Sequence, residues 1–316
     1  ADRWALAPKF YLAPGAHLTA MVEGVEVADA NGMTRDFNTP QTYTAHSEDG
    51  QWSKPYEVTF ELEARPVEKW ALDFENFELD PSGRYQVWFE MDANDASNPR
   101  RNYWASGNPG YNLTGLGSSP EVFPTTAAEG GVSGKCIKLE TKDTGMYGMN
   151  TRPKMPIAAG NLFIGEFELS KASRFPRKAT KFGLALVRKK PVTLEGYYKY
   201  KAGAKFTDAD IYAVVYEIDP DKFVPLDGDN ILTASNIALM ARIDKPAEFE
   251  GDMSELVAAD WVHFSEPFKP MNGKEFDAER LARGGYAIAI VMTSSRQGAY
   301  FLAFSRYTYC IVWSIS

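Results

Sequence analysis

Histidine and cysteine are scarce in this 316-residue sequence. The three histidines, His17, His46 and His263, lie far apart, and none has the H-E-x-x-H type of spacing, so a zinc hydrolase is not expected. The two cysteines, Cys136 and Cys310, are too few for a disulfide framework or a zinc pattern. Composition favours two buried thiols over a disulfide. We therefore predict neither a bound metal nor a cofactor.

The sequence also lacks long apolar runs and an excess of positive charge. No run approaches the roughly 18 apolar residues of a membrane helix, and the opening "ADRWALAPKF" has no hydrophobic region of the kind found in signal peptides. The net charge is −8, and the basic residues are scattered along the chain. Because nucleic acids attract clustered positive charge, they are not expected as partners. No transmembrane segment is expected in this chain.

Aromatic residues make up 13% of the chain, and glycine and proline recur at short intervals, a composition that favours β-sheet. The length favours two domains. For residues 1–68 we predict a β-sandwich of about five to seven strands. It contains a hairpin in "TYTAHSEDGQWSKPYEVTFELEA", with its turn at Asp49-Gly50, and another pair of strands around Pro14-Gly15. The segment "ARPVEKW" is the expected linker.

Residues 69–316 are predicted to form a larger β domain. Its candidate strands include "GRYQVWFEMD", "KCIKLET", "NLFIGEFELS", "VTLEGYYKY", "SNIALMARI" and "WVHFSEPF". The runs "IYAVVY" and "YAIAIVM" are almost continuously apolar and should be buried on both faces. A two-sheet jelly roll accommodates both kinds of strand. The helix candidates are "SELVAADW" and "FDAERLARGG", the second ended by Gly284-Gly285.

The loop "RRNYWASGNPGYNLTG" is the richest in groups that recognise sugars. Its candidate ligand residues are Trp104, Ser106, Asn108 and Tyr111, which place aromatic rings beside hydroxyl and amide groups. Two interpretations of Trp104 stay open. Its ring lines a ligand groove, or it folds back as a lid over the core.

The strand "TLEGYYKY" presents two different faces. Because side chains alternate along a strand, Tyr198 and Tyr200 are predicted to be buried, whereas Tyr197 and Lys199 should be solvent-accessible. A ring next to an ammonium group suits a sugar-binding surface, so Tyr197 and Lys199 are further candidate ligand residues. The alternative is an ordinary solvated sheet surface.

Glycoside hydrolysis requires two carboxylates about 5–10 Å apart across the substrate. Glu90, Asp92, Glu166 and Glu195 lie on or beside predicted strands, where solvated carboxylates are common. A spacing along the sequence does not give the distance between two side chains. No catalytic residue is therefore assigned.

The same loop resembles a known family, together with "AAGNLFIGEF", "KFGLALVRKKPVTLEGYYKYKAG", "DIYAVVYE" and "VMTSSRQGAYF". This is the putative carbohydrate metabolism domain family of secreted proteins from gut-type Gram-negative bacteria, some of whose members are labelled putative glycoside hydrolases. The resemblance covers roughly residues 70–303. Through "LAPGA" and "DFNTPQTYTAHSEDG", the first domain resembles the immunoglobulin-like module that precedes this domain.

The resemblance implies a jelly roll like that of carbohydrate-binding modules, lipoprotein export and a role in glycan capture or processing. The family's W-x-S/T-x-N loop corresponds to Trp104, Ser106 and Asn108, and its G-Y-Y-K-Y strand to Gly196–Tyr200. The family provides no catalytic residues to transfer. The ending "LAFSRYTYCIVWSIS" departs from the family's final strand, so the resemblance does not place the terminal sheet edge or Cys310.

The function expected from the sequence is that of a glycan-binding protein with an immunoglobulin-like β-sandwich followed by a jelly-roll β-sandwich. Its partner would be an oligo- or polysaccharide. We expect it to be secreted, at the outer-membrane surface or in the periplasm, with a lipid anchor upstream of this chain. The alternatives are a glycoside hydrolase acting on a polysaccharide or host glycan, and a structural adhesin-like module.

Overall fold

The computed structural model describes residues 6–22, 24–60, 70–92, 95–100, 103–183, 185–201, 209–243, 246–248, 261–296 and 309–315, the last of these as backbone only. The chain forms two compact units, Ala1–Val67 and Glu68–Ser316, called unit 1 and unit 2 below.

The described part of unit 1 contains one antiparallel sheet in the order β2-β1-β3-β4. Its strands are β1 (His17–Val22), β2 (Val25–Val27), β3 (Gln41–His46) and β4 (Ser53–Val58). Leu6 and Arg35 form an isolated antiparallel β-bridge in addition to these strands. The four strands are fewer than the five to seven predicted for this unit. The core contains Leu18, Ala20, Ala30, Phe37 and Tyr43.

One of the two hairpins predicted for unit 1 is confirmed. Strands β3 and β4 pair from Gln41↔Val58 to His46↔Ser53, and Asp49 accepts hydrogen bonds from the Ser47 hydroxyl and the Gln51 amide in the turn between them. The prediction of a strand pair around Pro14-Gly15 is wrong. Because β1 begins only at His17, that turn lies before the sheet, and β1 instead turns back into β2 near Gly24, at a φ of 83°.

Unit 2 is a two-sheet β-sandwich, which confirms the predicted all-β fold class. Its strands are β5 (Trp70–Leu72), β6 (Phe77–Leu79), β7 (Gln86–Trp88), β8 (Glu90–Asp92), β9 (Asp95–Arg100), β10 (Trp104–Ala105), β11 (Thr125–Glu129), β12 (Lys135–Leu139), β13 (Lys142–Asp143), β14 (Ile157–Ala158), β15 (Asn161–Phe167), β16 (Thr180–Phe182), β17 (Ala185–Leu186), β18 (Thr193–Tyr200), β19 (Asp210–Glu217), β20 (Leu226–Asp227), β21 (Ile237–Ile243), β22 (Val262–Pro267), β23 (Lys269–Pro270), β24 (Tyr286–Thr293) and β25 (Tyr309–Ile315). A nine-stranded sheet has the order β20-β16-β15-β24-β19-β21-β23, with β10 beside β15 and β17 beside β24. A six-stranded sheet has the order β11-β12-β25-β18-β22, with β5 beside β25.

The central strands of the nine-stranded sheet are buried on both faces, as the continuous apolar runs predicted. In β19 and β24 every residue but the last is buried. One face, with Ile211, Ala213 and Ile290, packs into the main core with residues of the six-stranded sheet such as Leu194. The opposite face, called the outer face below, forms a second apolar cluster that includes Tyr212. Further segments of the chain must therefore cover the outer face.

Short helices accompany the strands of unit 2. They are α1 (Asn108–Asn112), α2 (Gly145–Asn150), α3 (Pro176–Ala179) and α4 (Ala278–Ala282), with 3-10 turns at Pro120–Val122 and Leu169–Lys171. The helix predicted in "FDAERLARGG" is confirmed as α4. The Asp277 carboxylate caps its beginning, and Gly284, at a φ of 73°, follows its end. The candidate "SELVAADW" lies largely outside the described residues. Within the described ranges, no helix is long and apolar enough to span a membrane.

The final strand and Cys136 occupy positions that the sequence did not reveal. Strand β25 lies inside the six-stranded sheet, between β12 and β18, and pairs with β18 from Leu194↔Ile315 to Tyr200↔Tyr309. Cys136, on β12, is fully buried and disulfide-bonded. The prediction of two buried thiols is therefore wrong. Composition could not show which strands the sheet places side by side.

Candidate functional site

A cavity of about 380 Å³ lies on the outer face of the nine-stranded sheet; we call it the main cavity. Its floor consists of sheet residues, and its walls are the segments that cover the outer face. Floor residues include Phe163, Phe182, Asp210, Tyr212, Val291, Thr293, Ser295 and Arg296, and wall residues include Gly110, Tyr111, Thr144, Tyr147, Phe167, Arg177 and Asp229. Aromatic rings, hydroxyl groups and charged side chains therefore face one cavity.

Helix α1 provides one wall, and Asn108 holds it in place. The Asn108 side chain is fully buried, donates to the Thr125 carbonyl at 2.8 Å and accepts from the Thr125 amide at 3.1 Å. The Gly107 amide donates to Asn161 Oδ1 at 2.8 Å. These bonds fix the position of Tyr111, which lines the cavity and packs edge-on against Phe123.

Helix α2 and the segment around α3 provide two more walls. At Gly148 the chain passes so close to the Met155 carbonyl and the Thr144 side chain that no Cβ would fit, which explains the glycine. The half-buried Tyr147, one residue earlier, lines the cavity. Across the opening, Arg177 Nε donates to Asp229 Oδ1 at 2.8 Å, and both side chains are about half exposed.

A buried ion pair lies at the floor. Asp210, whose side chain is 2% exposed, accepts two hydrogen bonds from the Arg242 guanidinium, at 2.8 and 2.6 Å. Arg296 Nε lies 3.8 Å from the same carboxylate. The arrangement follows from strand register. Arg242 on β21 lies opposite Tyr212 on β19. Asp210 lies two residues before Tyr212, so its side chain is on the same face of the sheet.

The Tyr212 phenol stays neutral in this setting. Burial raises its pKa well above the usual value, and the nearby Asp210 carboxylate raises the pKa further, while Arg242 and Arg177 oppose the shift. A neutral phenol can both donate and accept a hydrogen bond. Tyr212 therefore offers the cavity a polar group on an otherwise apolar ring.

The candidate ligand residues predicted from the sequence lie in different places. Tyr111 lines the main cavity, whereas Trp104 and Ser106 line a second cavity. This second cavity has a volume of about 440 Å³ but far fewer lining residues, and it is called the minor cavity below. Phe167 contributes to both cavities. Asn108 lines neither, because its amide is bonded to Thr125.

Trp104 has the contacts of a core residue, which agrees with the lid interpretation. Its side chain is 3% exposed, its ring packs at 5.3 Å from Phe74 and 5.5 Å from Tyr103, and its Nε1 donates to Glu90 Oε1 at 2.6 Å. Ser106 Oγ accepts a hydrogen bond from the Asn108 amide at 3.3 Å. Ligand binding by these residues stays a prediction.

Strand β18 agrees with the predicted alternation except at Lys199. Tyr198 and Tyr200 are buried, and Tyr197 is half-buried with its ring 4.9 Å from the His263 ring. Lys199, predicted to be accessible, is only 1% exposed, so that prediction is wrong. Trp261 contributes to this burial, because the centroid of its indole ring lies 5.3 Å from the Lys199 ammonium. Both Tyr197 and Lys199 belong to the six-stranded sheet and line neither cavity.

The acidic candidates are also dispersed. Glu90 is bonded to Trp104, Glu195 pairs with His263 at 3.0 Å, and Glu166 is exposed beside the minor cavity. The Asp92 side chain lies outside the described residues. Across the described ranges, no group of three or more metal-ligating side chains comes together.

Sequence reasoning missed most of the main cavity. Tyr147 and Arg177 lie on short helices without an amphipathic repeat, and Asp210 is the first residue of its strand. One signal was present in "VMTSSRQGAYF", where polar Thr293 ends a strand whose other residues are all buried, and polar Ser295 and Arg296 follow it. Polar residues at the end of such a strand suggest a site at the sheet surface.

Comparison with known proteins assigns a family to the chain. The model of a family described as "Putative carbohydrate metabolism domain" matches residues 73–311. A crystal structure of a putative glycoside hydrolase from Bacteroides thetaiotaomicron has 36% sequence identity and a TM-score of 0.66, covering 99% of this chain and 86% of that one. Another, from Bacteroides vulgatus, has 34% identity and a TM-score of 0.65, covering 77% of this chain and 96% of that one. No curated protein matches the chain.

Proposed function

Because the chain belongs to the Putative carbohydrate metabolism domain family, we propose that it binds a carbohydrate in the main cavity. The observation that carries the proposal is the lining of this cavity, which combines aromatic rings with hydroxyl groups and arginine–aspartate pairs. Sugar rings have apolar faces that pack on aromatic rings, and hydroxyl groups that exchange hydrogen bonds with polar side chains. The volume of about 380 Å³ lies in the usual range for ligand cavities.

Tyr147 provides the sharpest test of this proposal. Its half-buried ring lines the cavity and has no other aromatic ring or hydrogen-bond partner among the described residues. With a ligand identified on a glycan array, Tyr147→Ala should lower the affinity about 5- to 150-fold, the effect of losing one stacked ring. The melting temperature should change little. Isothermal titration calorimetry and thermal unfolding measure the two effects.

Tyr197→Ala is the matched control, because it removes the same ring from the six-stranded sheet. Its affinity should stay close to that of the unchanged protein. If Tyr197→Ala weakens binding and Tyr147→Ala does not, the main cavity is the wrong site. If no glycan binds and no new reducing ends are produced from any glycan, the structural adhesin-like alternative is favoured.

Glycoside hydrolysis is the second candidate, favoured by the similar structures described as putative glycoside hydrolases. Its carboxylates would be Asp210 and Asp229, which line the main cavity. Both are bonded to arginine, and a general acid needs a proton that it can donate to the glycosidic oxygen. This geometry favours binding over cleavage. An assay for new reducing ends, run on the glycans that bind, tests for turnover. If the protein is a hydrolase that uses Asp229, Asp229→Asn should abolish the activity.

We also propose that the protein is exported to the outer-membrane surface or the periplasm, held by a lipid anchor on a preceding segment. The support is the disulfide at Cys136, because structural disulfides persist in oxidising compartments. Fractionation of the source bacterium should recover the protein outside the cytoplasm, with Cys136 of the denatured protein resistant to alkylation until a reductant is added. Recovery in the cytoplasm with a free Cys136 thiol would contradict export.

A further inference from the structure

The floor of the main cavity contains a buried hydroxyl group that has no partner within the described part of the chain. Ser295 is 1% exposed, and its Oγ has no hydrogen-bond partner among the described residues. Buried polar groups in proteins are nearly always hydrogen-bonded, so an orphan hydroxyl on a residue that lines a cavity indicates a missing partner. Ser295 lines the cavity directly.

Arg296, the next residue, also has donors for which the described ranges supply no acceptor. Its Nε lies 3.8 Å from Asp210 Oδ2, too far for a hydrogen bond, and both oxygens of Asp210 already accept from Arg242. No other described residue accepts a hydrogen bond from Arg296. A guanidinium has five N–H donors, and that of Arg296 is about one-third exposed and lines the cavity.

The Arg296 guanidinium is the charged group at the floor that is available to a ligand. At the opening, Arg177 and Asp229 compensate each other. At the floor, both Asp210 oxygens accept hydrogen bonds from Arg242, while Arg296 lies 3.8 Å from the carboxylate. The Arg296 guanidinium therefore attracts an anionic group, and the low-dielectric walls strengthen that attraction.

We propose that the carbohydrate bound in the main cavity is acidic, and that Arg296, Ser295 and Tyr212 bind its anionic group. This inference rests on the proposed function. A guanidinium binds a carboxylate or sulfate through two parallel hydrogen bonds, and the Ser295 hydroxyl and Tyr212 phenol supply further donors beside it. The sugar ring would then pack on the aromatic walls, such as Tyr147. Carboxylated and sulfated sugars share this oxyanion chemistry.

The test is a glycan array that presents neutral, carboxylated and sulfated oligosaccharides, followed by calorimetry on the best ligands. Oligogalacturonate and its methyl ester differ only in the charge of the carboxyl group, and sulfated galactan represents the sulfate source. We expect an acidic class to bind most tightly, with an affinity that falls as salt increases. Arg296→Gln should lower that affinity about 10- to 100-fold, the usual effect of losing a charged hydrogen-bond donor.

The control is Arg188→Gln, which changes the net charge equally at an exposed position outside both cavities. It should leave the affinity for acidic glycans nearly unchanged. The inference is overturned if neutral glycans bind as tightly as acidic ones, or if Arg296→Gln and Arg188→Gln have equal effects. Neither result would contradict the proposed function, which is carbohydrate binding in the main cavity. If no glycan on the array binds, the proposed function fails together with the inference.

Discussion

Replacing Trp104 by alanine should lower the free energy of unfolding by about 3–5 kcal/mol, the usual loss for truncating a buried tryptophan. The ring is 3% exposed and packs against Phe74 and Tyr103, so its removal leaves a cavity in the main core. The variant should melt roughly 6–20 °C below the unchanged protein. Urea and thermal unfolding followed by near-ultraviolet circular dichroism measure both quantities.

Trp104→Phe separates packing from hydrogen bonding. It keeps an aromatic ring in the core but removes the Nε1 donor to Glu90, so it should cost about 1–3 kcal/mol, less than alanine does. Glycan affinity should be unchanged in the folded fraction of both variants, because Trp104 does not line the main cavity. If Trp104→Ala lowers affinity without lowering the melting temperature, the core interpretation is wrong and Trp104 lines a ligand groove.

Replacing Asp210 by alanine should cost about 3 kcal/mol of stability, because it leaves Arg242 and Arg296 together without their carboxylate. The estimate lies at the low end for broken buried pairs, since the arginine side chains are 26% and 31% exposed and water can partly solvate them. Urea unfolding at neutral pH measures the loss. Adding Arg242→Ala should recover part of it, because one of the two guanidinium groups that lost the Asp210 carboxylate is then removed.

Asp229→Ala is the matched control for this prediction. It breaks the other arginine–aspartate pair of the main cavity, but both side chains there are about half exposed, so the loss should be under about 1 kcal/mol. Equal losses for Asp210→Ala and Asp229→Ala would contradict a buried ion pair at the floor.

The sequence alone determined much of the sandwich, because strand periodicity is a local property. The runs in β19 and β24 predicted burial on both faces, and the alternation in β18 predicted that Tyr198 and Tyr200 would be buried. The turn at Asp49 and the helix before Gly284 also follow from residues within a few positions of each other. In each case the backbone conformation and the exposed face depend on neighbouring residues only.

Only the tertiary structure decided which of these surfaces are covered and which side chains meet. Lys199 has the spacing of an exposed residue, but it is buried, and Trp261, more than sixty residues later, packs against its ammonium. The main cavity brings together Tyr147, Asp210 and Arg296 from segments far apart in the chain. Such contacts depend on strand order and on the paths of the loops across the sheet, neither of which leaves a periodic signal in the sequence. Tyr111 could therefore be singled out from the sequence of its loop, but most of the other residues that line the main cavity could not.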